Sequence, residues 1–287
     1  SLFHTVSAFN NAGFTISPPG SSFISLEDKA TLGFLSILII LGSVSYFVLA
    51  DVGRHRHRFN RFALNTKMVL AVSSVILIWG VLVFLLAEYN NPATLGNLSV
   101  VDKIVSAIFH SISGRTAGFS LIDFNSADEQ TLLWYILLMF VGGASGSTAG
   151  GIKVTTVGIL VAAVLASLTS RERVIAFRRE LPFRAVNLAL TVAVLSLAFV
   201  AISAILQTLW GRPDPQEGLI EIPFLHLLFE TISAYGTNGL TLGVSGELSR
   251  WGQFFLVVTM FVGRLGPLTL ALILVRKDAK ELYHYPQ

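Results

Sequence analysis

The sequence predicts an all-α membrane protein built from repeated units of span, short helix, polar loop and span, arranged around a central polar path. Three observations predict it. Hydrophobic residues make up 53% of the chain and charged residues 13%, with a mean hydropathy of +0.70, whereas a soluble chain carries about a quarter of its residues as charges. Long apolar runs are separated by links that alternate between rich and poor in lysine and arginine. Finally, HTVSAFNNAGFTI, HSISGRTAGFSLI and ETISAYGTNGLTL share a pattern, and their glycines Gly13, Gly118 and Gly239 recur at intervals of about one hundred residues or slightly more.

Residues 32–49 are nearly uncharged, long enough at about 1.5 Å per residue to cross most of a bilayer of roughly 30 Å, and lead into the basic link DVGRHRHRFNRF. Residues 69–86 form the next span, followed by the polar link EYNNPATLGN. The basic link is therefore cytoplasmic and the polar link external. Residues 104–112 are too short to cross, so a half-crossing helix that returns through an extended segment accounts for them. The apolar run 132–168 is too long for one simple span and is interrupted by GGASGSTAGG; its exit is basic, with Arg171, Arg173, Arg178, Arg179 and Arg184. Residues 186–209 cross again, 224–232 make another short helix, and 254–275 cross back into RKDAKE. The units divide as 1–60, the end of one repeat; 61–180, a complete repeat with the interruption; and 181–287, a further repeat with a short cytoplasmic tail. The chain starts at Ser1 with no methionine or signal-like segment, and the first motif begins almost at once, so a fragment with a missing upstream part is expected.

The three loops point to an ion path. Non-helical backbone at membrane depth costs several kcal/mol for each N–H or C=O left without a partner, unless protein or an aqueous cavity supplies one. Gly13, Gly118 and Gly239 permit dihedrals that other side chains forbid and are the candidates for the narrowest point, where backbone carbonyls can replace the hydration shell of a monovalent cation. Asn10, Asn11 and Ala12, then Thr116 and Ala117, then Thr237 and Asn238 are the neighbours expected to line it. Each short helix would aim its carbonyl end inward and favour cations. Phe14, Phe119 and Leu240 are expected to wedge the loops by core packing. For one glycine alone, a turn or helix cap explains as much; three loops with matched serines, Ser7, Ser113 and Ser233, are harder to explain that way.

Charges in apolar territory need partners. Lys153 follows the interruption, whose Gly142, Gly143, Ser145, Gly146, Ser147, Thr148, Gly150 and Gly151 cannot sustain a stiff lipid-facing helix and could form a movable insert beneath the loops. A gate is one reading; a kink that allows close packing is the other. Arg264 in FVGRLGPLT would face the same path, as a second electrostatic barrier or as the holder of a carboxylate, with Pro267 bending the last span. Arg115 is expected outside the narrow path. Glu230 shares the register of His4 and His110 and is a candidate acceptor for Arg115 or for a loop; the histidines are expected as hydrogen-bonding supports, since no carboxylate or cysteine cluster accompanies them.

At these residues the chain resembles the Trk/Ktr/HKT superfamily of potassium transport proteins, most closely the KtrB type of bacterial membrane subunit. AFNNAGF is similar to the second filter of that family, RTAGF to the third and YGTNGL to the fourth; GGASGSTAGGIKVTT resembles its intramembrane gating loop and FVGRLGPLT its arginine-bearing last helix. RTAGF, in place of a threonine-rich third filter, favours Ktr over Trk. The resemblance runs through essentially the whole chain, but the first repeat and the first span of the second are absent, and a four-part filter does not close with three loops. It implies potassium (K+) uptake across the bacterial inner membrane, often stimulated by sodium (Na+), by a multi-pass homodimer with one pore per protomer. It implies Gly13, Gly118 and Gly239 as carbonyl donors to potassium, and a cytoplasmic nucleotide-binding ring of the KtrA or TrkA type, with the nucleotide only on that partner. The basic links 54–61 and 171–184 fit docking surfaces for it, topology signals or contacts with membrane lipid phosphates.

Other functions fit less well. A secondary transporter for an organic solute would show inverted halves and a roomier site, and no nucleic acid partner is expected from basic residues confined to short links. An enzyme would need paired carboxylates, a nucleophile with its base or a metal cluster, and GGASGSTAGG lacks the GKS ending of a phosphate loop. With no cysteine in the chain, a thiolate site and a disulfide framework are excluded. An assembly subunit is the remaining alternative, and ion flux by the full chain separates it from a transporter.

Overall fold

In the computed structural model, residues 2–16, 26, 28–56, 58–171, 173–211 and 222–266 are described. The helices run in the order α1 (Leu2–Phe9), α2 (Lys29–Ser43), α3 (Tyr46–His55), α4 (Leu64–Glu88), α5 (Val100–Thr116), α6 (Glu129–Phe140), α7 (Val154–Leu168), α8 (Phe183–Trp210), α9 (Phe224–Gly236) and α10 (Arg250–Leu265). A small antiparallel hairpin, β1 (Ile175–Ala176) with β2 (Arg179–Glu180), turns the link between α7 and α8 through Phe177 and Arg178, both left-handed. The apolar-run reading did not foresee it.

Among the described residues, α4 and α8 are long and apolar enough to cross a membrane. Their outward side chains stay apolar: Val75, Ile78 and Leu82 on α4 and Leu197, Ile202 and Leu209 on α8 are exposed. Helices that are hydrophobic all round belong in lipid or in a core, and these have both surroundings. The expected single span over 32–49 is instead broken. α2 and α3 meet at 101°, so α2 is only 15 residues long, about 22 Å at the usual rise. The cause is tertiary: the carbonyls of Gly42 and Ser43 accept from Thr148 N (3.2 Å) and Ala144 N (2.9 Å) of the segment after α6, and Ser45 Oγ caps the new helix by accepting from Phe47 N. Backbone groups freed by the break are thus taken up by protein, as a lipid environment requires.

The run 132–168 divides into α6 and α7 around residues 141–153, where Gly142 N donates to Ile152 O (2.8 Å) and Ile152 N to Phe140 O (3.2 Å), closing the neck of the loop. α10 starts at Arg250, earlier than expected, because Ser249 Oγ accepts from Gly252 N. The remainder of the expected last span, with Pro267 and RKDAKE, lies outside the described residues.

Packing repeats with the sequence. The short helix α5 lies against α4 of its own unit and against α2 of the unit before; α9 lies against α8 of its own unit and α6 of the unit before. α1 packs on α2. Each unit therefore leans on its predecessor, and the three short helices bring their C-terminal ends to one centre. Lys29 at the start of α2 pairs with Asp102 in the first turn of α5 (2.8 Å). That ammonium, together with the Ser99 hydroxyl, holds the half-buried Asp102 carboxyl below the usual carboxylate range.

Candidate ion pathway

Each short helix ends in the same construction. The serine one turn from the helix end uses both of its oxygens. Its carbonyl accepts from a backbone N–H five residues on: Ala12 N to Ser7 O (2.9 Å), Gly118 N to Ser113 O (3.0 Å), Asn238 N to Ser233 O (3.0 Å). Its hydroxyl donates to the carbonyl just past the glycine, from Ser7 to Phe14 O (2.9 Å), from Ser113 to Phe119 O (2.6 Å) and from Ser233 to Leu240 O (2.6 Å). The serine thus staples the outgoing strand to the helix end.

The spacing from serine to glycine differs by one residue, and the backbone explains why. Asn11 (φ 51°) and Thr237 (φ 52°) are left-handed residues that end α1 and α9, whereas Thr116 at the matching place is still helical. The loop after α5 omits that step. A second tie recurs at the outer end of each loop: Ile16 N donates to His4 Nε2 (3.4 Å), Leu121 N to His110 Nε2 (3.1 Å) and Leu242 N to Glu230 Oε1 (2.8 Å). Glu230 also accepts from the hydroxyls of Thr241 and Ser245. It serves its own loop, therefore, and the pairing with Arg115 does not form.

The three glycines are brought together, all with positive φ: 71° at Gly13, 76° at Gly118 and 92° at Gly239. A Cβ on Gly13 would overlap Ala117 O and stand 3.2 Å from Asn238 O; one on Gly118 would overlap Asn238 O; one on Gly239 would lie 3.6 Å from Ala12 O. At Gly13 and Gly118 the missing side chain leaves room for a carbonyl of another loop, while at Gly239 the Ala12 carbonyl lies at ordinary contact distance. Ala12, Ala117 and Asn238, each the residue before its glycine, supply those carbonyls. The other expected lining residues divide. Asn238 anchors through its side-chain amide to Gly114 O, and Thr116 bonds Asn11 (2.8 Å). Asn10 turns back onto its own helix at Val6 O (2.9 Å), on the wall of an open cavity of about 620 Å³ between the first loop, the third loop and α10. Phe119 and Leu240 are buried as expected, but Phe14 is 70% exposed at that cavity and wedges nothing.

The segment 141–153 lies against the first and third loops. Thr148 Oγ1 accepts from Asn11 Nδ2 of the first (2.9 Å), and a Cβ on Gly150 would overlap the Thr237 hydroxyl of the third. Gly143 faces Ser43 O across a gap too small for a methyl, since its Cβ would sit 2.7 Å away. Ser43 Oγ in turn lies 3.5 Å from Arg115 Nη2 at the end of α5. Gly142 packs against Gly150 and Gly151 in the closed neck, Ser147 Oγ accepts from Ala149 N, and Ser145 and Gly146 form the exposed tip. Lys153 Nζ donates to Ala149 O (2.5 Å), and the Arg264 guanidinium donates to Thr148 O. Both cations thus hold adjacent carbonyls of one loop; of the two roles expected for Arg264, a barrier or the holder of a carboxylate, the partner found is a carbonyl. Arg264 sits in the last turn of the described α10, on the cavity wall. Arg115 is 4% exposed, with Nη1 lacking a partner among the described residues.

Sequence reasoning missed Glu88. It is fully buried at the end of α4 and accepts from Asn91 Nδ2 (2.8 Å), Thr94 Oγ1 (2.5 Å), Asp128 N (3.0 Å) and the Thr131 hydroxyl. It organises the link between α4 and α5, which read simply as polar. The one signal in the sequence was an acid at the very end of an apolar run.

A bundle of apolar helices with repeated half-helices, whose carbonyl ends and glycine loops converge beside the segment 141–153, defines a helical membrane protein. Comparison with known proteins agrees. Residues 1–283 match the TrkH model, described as a cation transport protein, and the chain belongs to that family. It is 38% identical over 287 residues to the Ktr system potassium uptake protein B of Bacillus subtilis, and 36% identical over 292 residues to the potassium/sodium uptake protein NtpJ of Enterococcus hirae. All of the chain is covered in both alignments, and 62% of each relative, so the chain spans about three fifths of the relatives it matches. The crystal structure of the potassium transporter TrkH from Vibrio parahaemolyticus shares the fold, with a TM-score of 0.72 at 17% identity over 95% of this chain and 57% of that one. These relatives are ion transporters, not enzymes.

Proposed function

We propose that the protein takes up potassium across the bacterial inner membrane through a pore whose filter is formed by the loops at Gly13, Gly118 and Gly239. The observation that carries this is the close approach of neighbouring-loop carbonyls to Gly13 and Gly118, with the Ala12 carbonyl beside Gly239 and each of the three loops stapled by a matched serine. Carbonyls fixed in this way can stand in for the water around a monovalent cation, and the C-terminal helix ends add a negative field. The names of the potassium uptake relatives support the same cargo, and that of the potassium/sodium relative supports a sodium effect. The units are residues 1–60, 61–180 and 181–287, and a further polar loop completes the ring at the open cavity.

Residues 141–153 act as the gate. Lying across the ring, held by Lys153 and Arg264, they close the path and place two cations beneath it. In the whole protein, a homodimer, a cytoplasmic nucleotide-binding ring of the KtrA or TrkA type controls this loop. The test is potassium flux into liposomes by the full-length protein with that ring, compared with a deletion of residues 142–151. The deletion is expected to raise flux and to remove its dependence on the ring. Unchanged, ring-dependent flux would show that the loop is packing alone.

A further inference from the structure

Asn11 is 1% exposed and uses both ends of its side-chain amide. Oδ1 accepts from Thr116 Oγ1 (2.8 Å), at the end of α5, and Nδ2 donates to Thr148 Oγ1 (2.9 Å), in the segment 141–153. Thr148 passes its own hydroxyl proton to Gly42 O (2.9 Å), with Phe9 O at 3.3 Å. Donors and acceptors therefore run in one direction through four groups: Thr116, Asn11, Thr148 and the α2 carbonyl. The partners of Asn11 are more than one hundred residues away in the chain. Asn11 also stands two residues before Gly13 in a left-handed conformation that asparagine tolerates better than most side chains.

We infer that Asn11 is a positioning residue that couples the ring of loops to the segment 141–153, so that ion selectivity depends on Thr148 being in place. The inference rests on the filter and gate reading above. Its basis is what displacement of Thr148 leaves behind. The Asn11 Nδ2 group would keep only Phe9 O, at 3.5 Å, a long and weak contact. A buried amide donor without a partner is costly enough that the side chain must turn to find one. Turning takes Oδ1 away from Thr116, and Ala12 and Ala117, the neighbours of these two residues, carry the ring carbonyls. Thr148 is well placed to transmit the movement, because its backbone carbonyl accepts from Arg264 and its N–H donates to Gly42 O. A shift of α10 or of the loop can thus reach the first loop of the ring through this residue.

The test is the ratio of potassium to sodium flux in liposomes for the full-length protein. Thr148→Val keeps the shape and removes the hydroxyl; Asn11→Gly tolerates the positive φ and removes the amide. Each is expected to lower the ratio by at least roughly fivefold, the low end of ordinary coupling between sites. The double variant should fall no further than the worse single one, since both cut the same link. Thr148→Ser, which keeps the hydroxyl, should retain the parent ratio. A Thr148→Val protein that changes total flux with its ratio intact, while Gly118→Ser loses the ratio, would overturn the coupling and leave the filter standing. Additive losses would also overturn it, as would a Thr148→Ser protein with the ratio of the valine variant. If Gly118→Ser too keeps the parent ratio, the filter reading itself has failed, and the coupling with it.

Discussion

At the scale of single residues, the loops are held by a few buried polar groups whose roles can be separated. Ser113 donates its hydroxyl to Phe119 O across the Gly118 turn. Ser113→Ala is expected to cost about 1 kcal/mol of stability, the net worth of one hydrogen bond, and to lower selectivity because the strand after Gly118 loses its staple. Thermal unfolding in detergent and flux ratios measure the two effects. Glu88 carries a heavier load away from the path. Glu88→Ala leaves four donors without their acceptor, each worth about 1–3 kcal/mol when buried, and is expected to lower the midpoint of thermal unfolding sharply. Glu88→Gln keeps an acceptor oxygen and should be milder. Equal losses for the two would mean that the negative charge, and not the acceptor pattern, matters.

At the scale of elements, what could be read in advance followed from local pattern. The glycine loops, the short helices and the break between α6 and α7 were legible because repeated motifs and a run of glycine and serine mark them. The matched serines were visible too, although the use of both oxygens was not. The break between α2 and α3 was hidden: residues 32–49 contain no proline or charge, and the bend is made by Thr148 N and Ala144 N from more than ninety residues away. Exposure of Phe14 was hidden for a similar reason, since its neighbour is a cavity and no helix. The contact of Gly143 with Ser43 O gives this bend a testable consequence. Gly143→Ala forces the loop off α2 and is expected to raise flux in the same direction as deleting 142–151, by a smaller factor. Flux below that of the parent would show that close packing of the loop opens the path.

At the scale of the whole molecule, each unit packs on the one before it, which directs three helix ends and three loops to one place and leaves the segment 141–153 in contact with the first and third of those loops and with α2. Lipid-facing apolar surface surrounds a centre rich in buried serine, threonine and asparagine. That inversion of the soluble pattern was clear from composition, while the ring could be seen only once non-local contacts were in place. The central claim is that these loops select the ion. The most direct measurement compares potassium with sodium flux in liposomes for the full-length protein and for Gly118→Ser, whose Cβ would meet Asn238 O at a positive φ. The account predicts potassium-favouring flux in the parent and a serine variant that still conducts but has lost most of that preference. A folded serine variant with the parent's preference intact would contradict it.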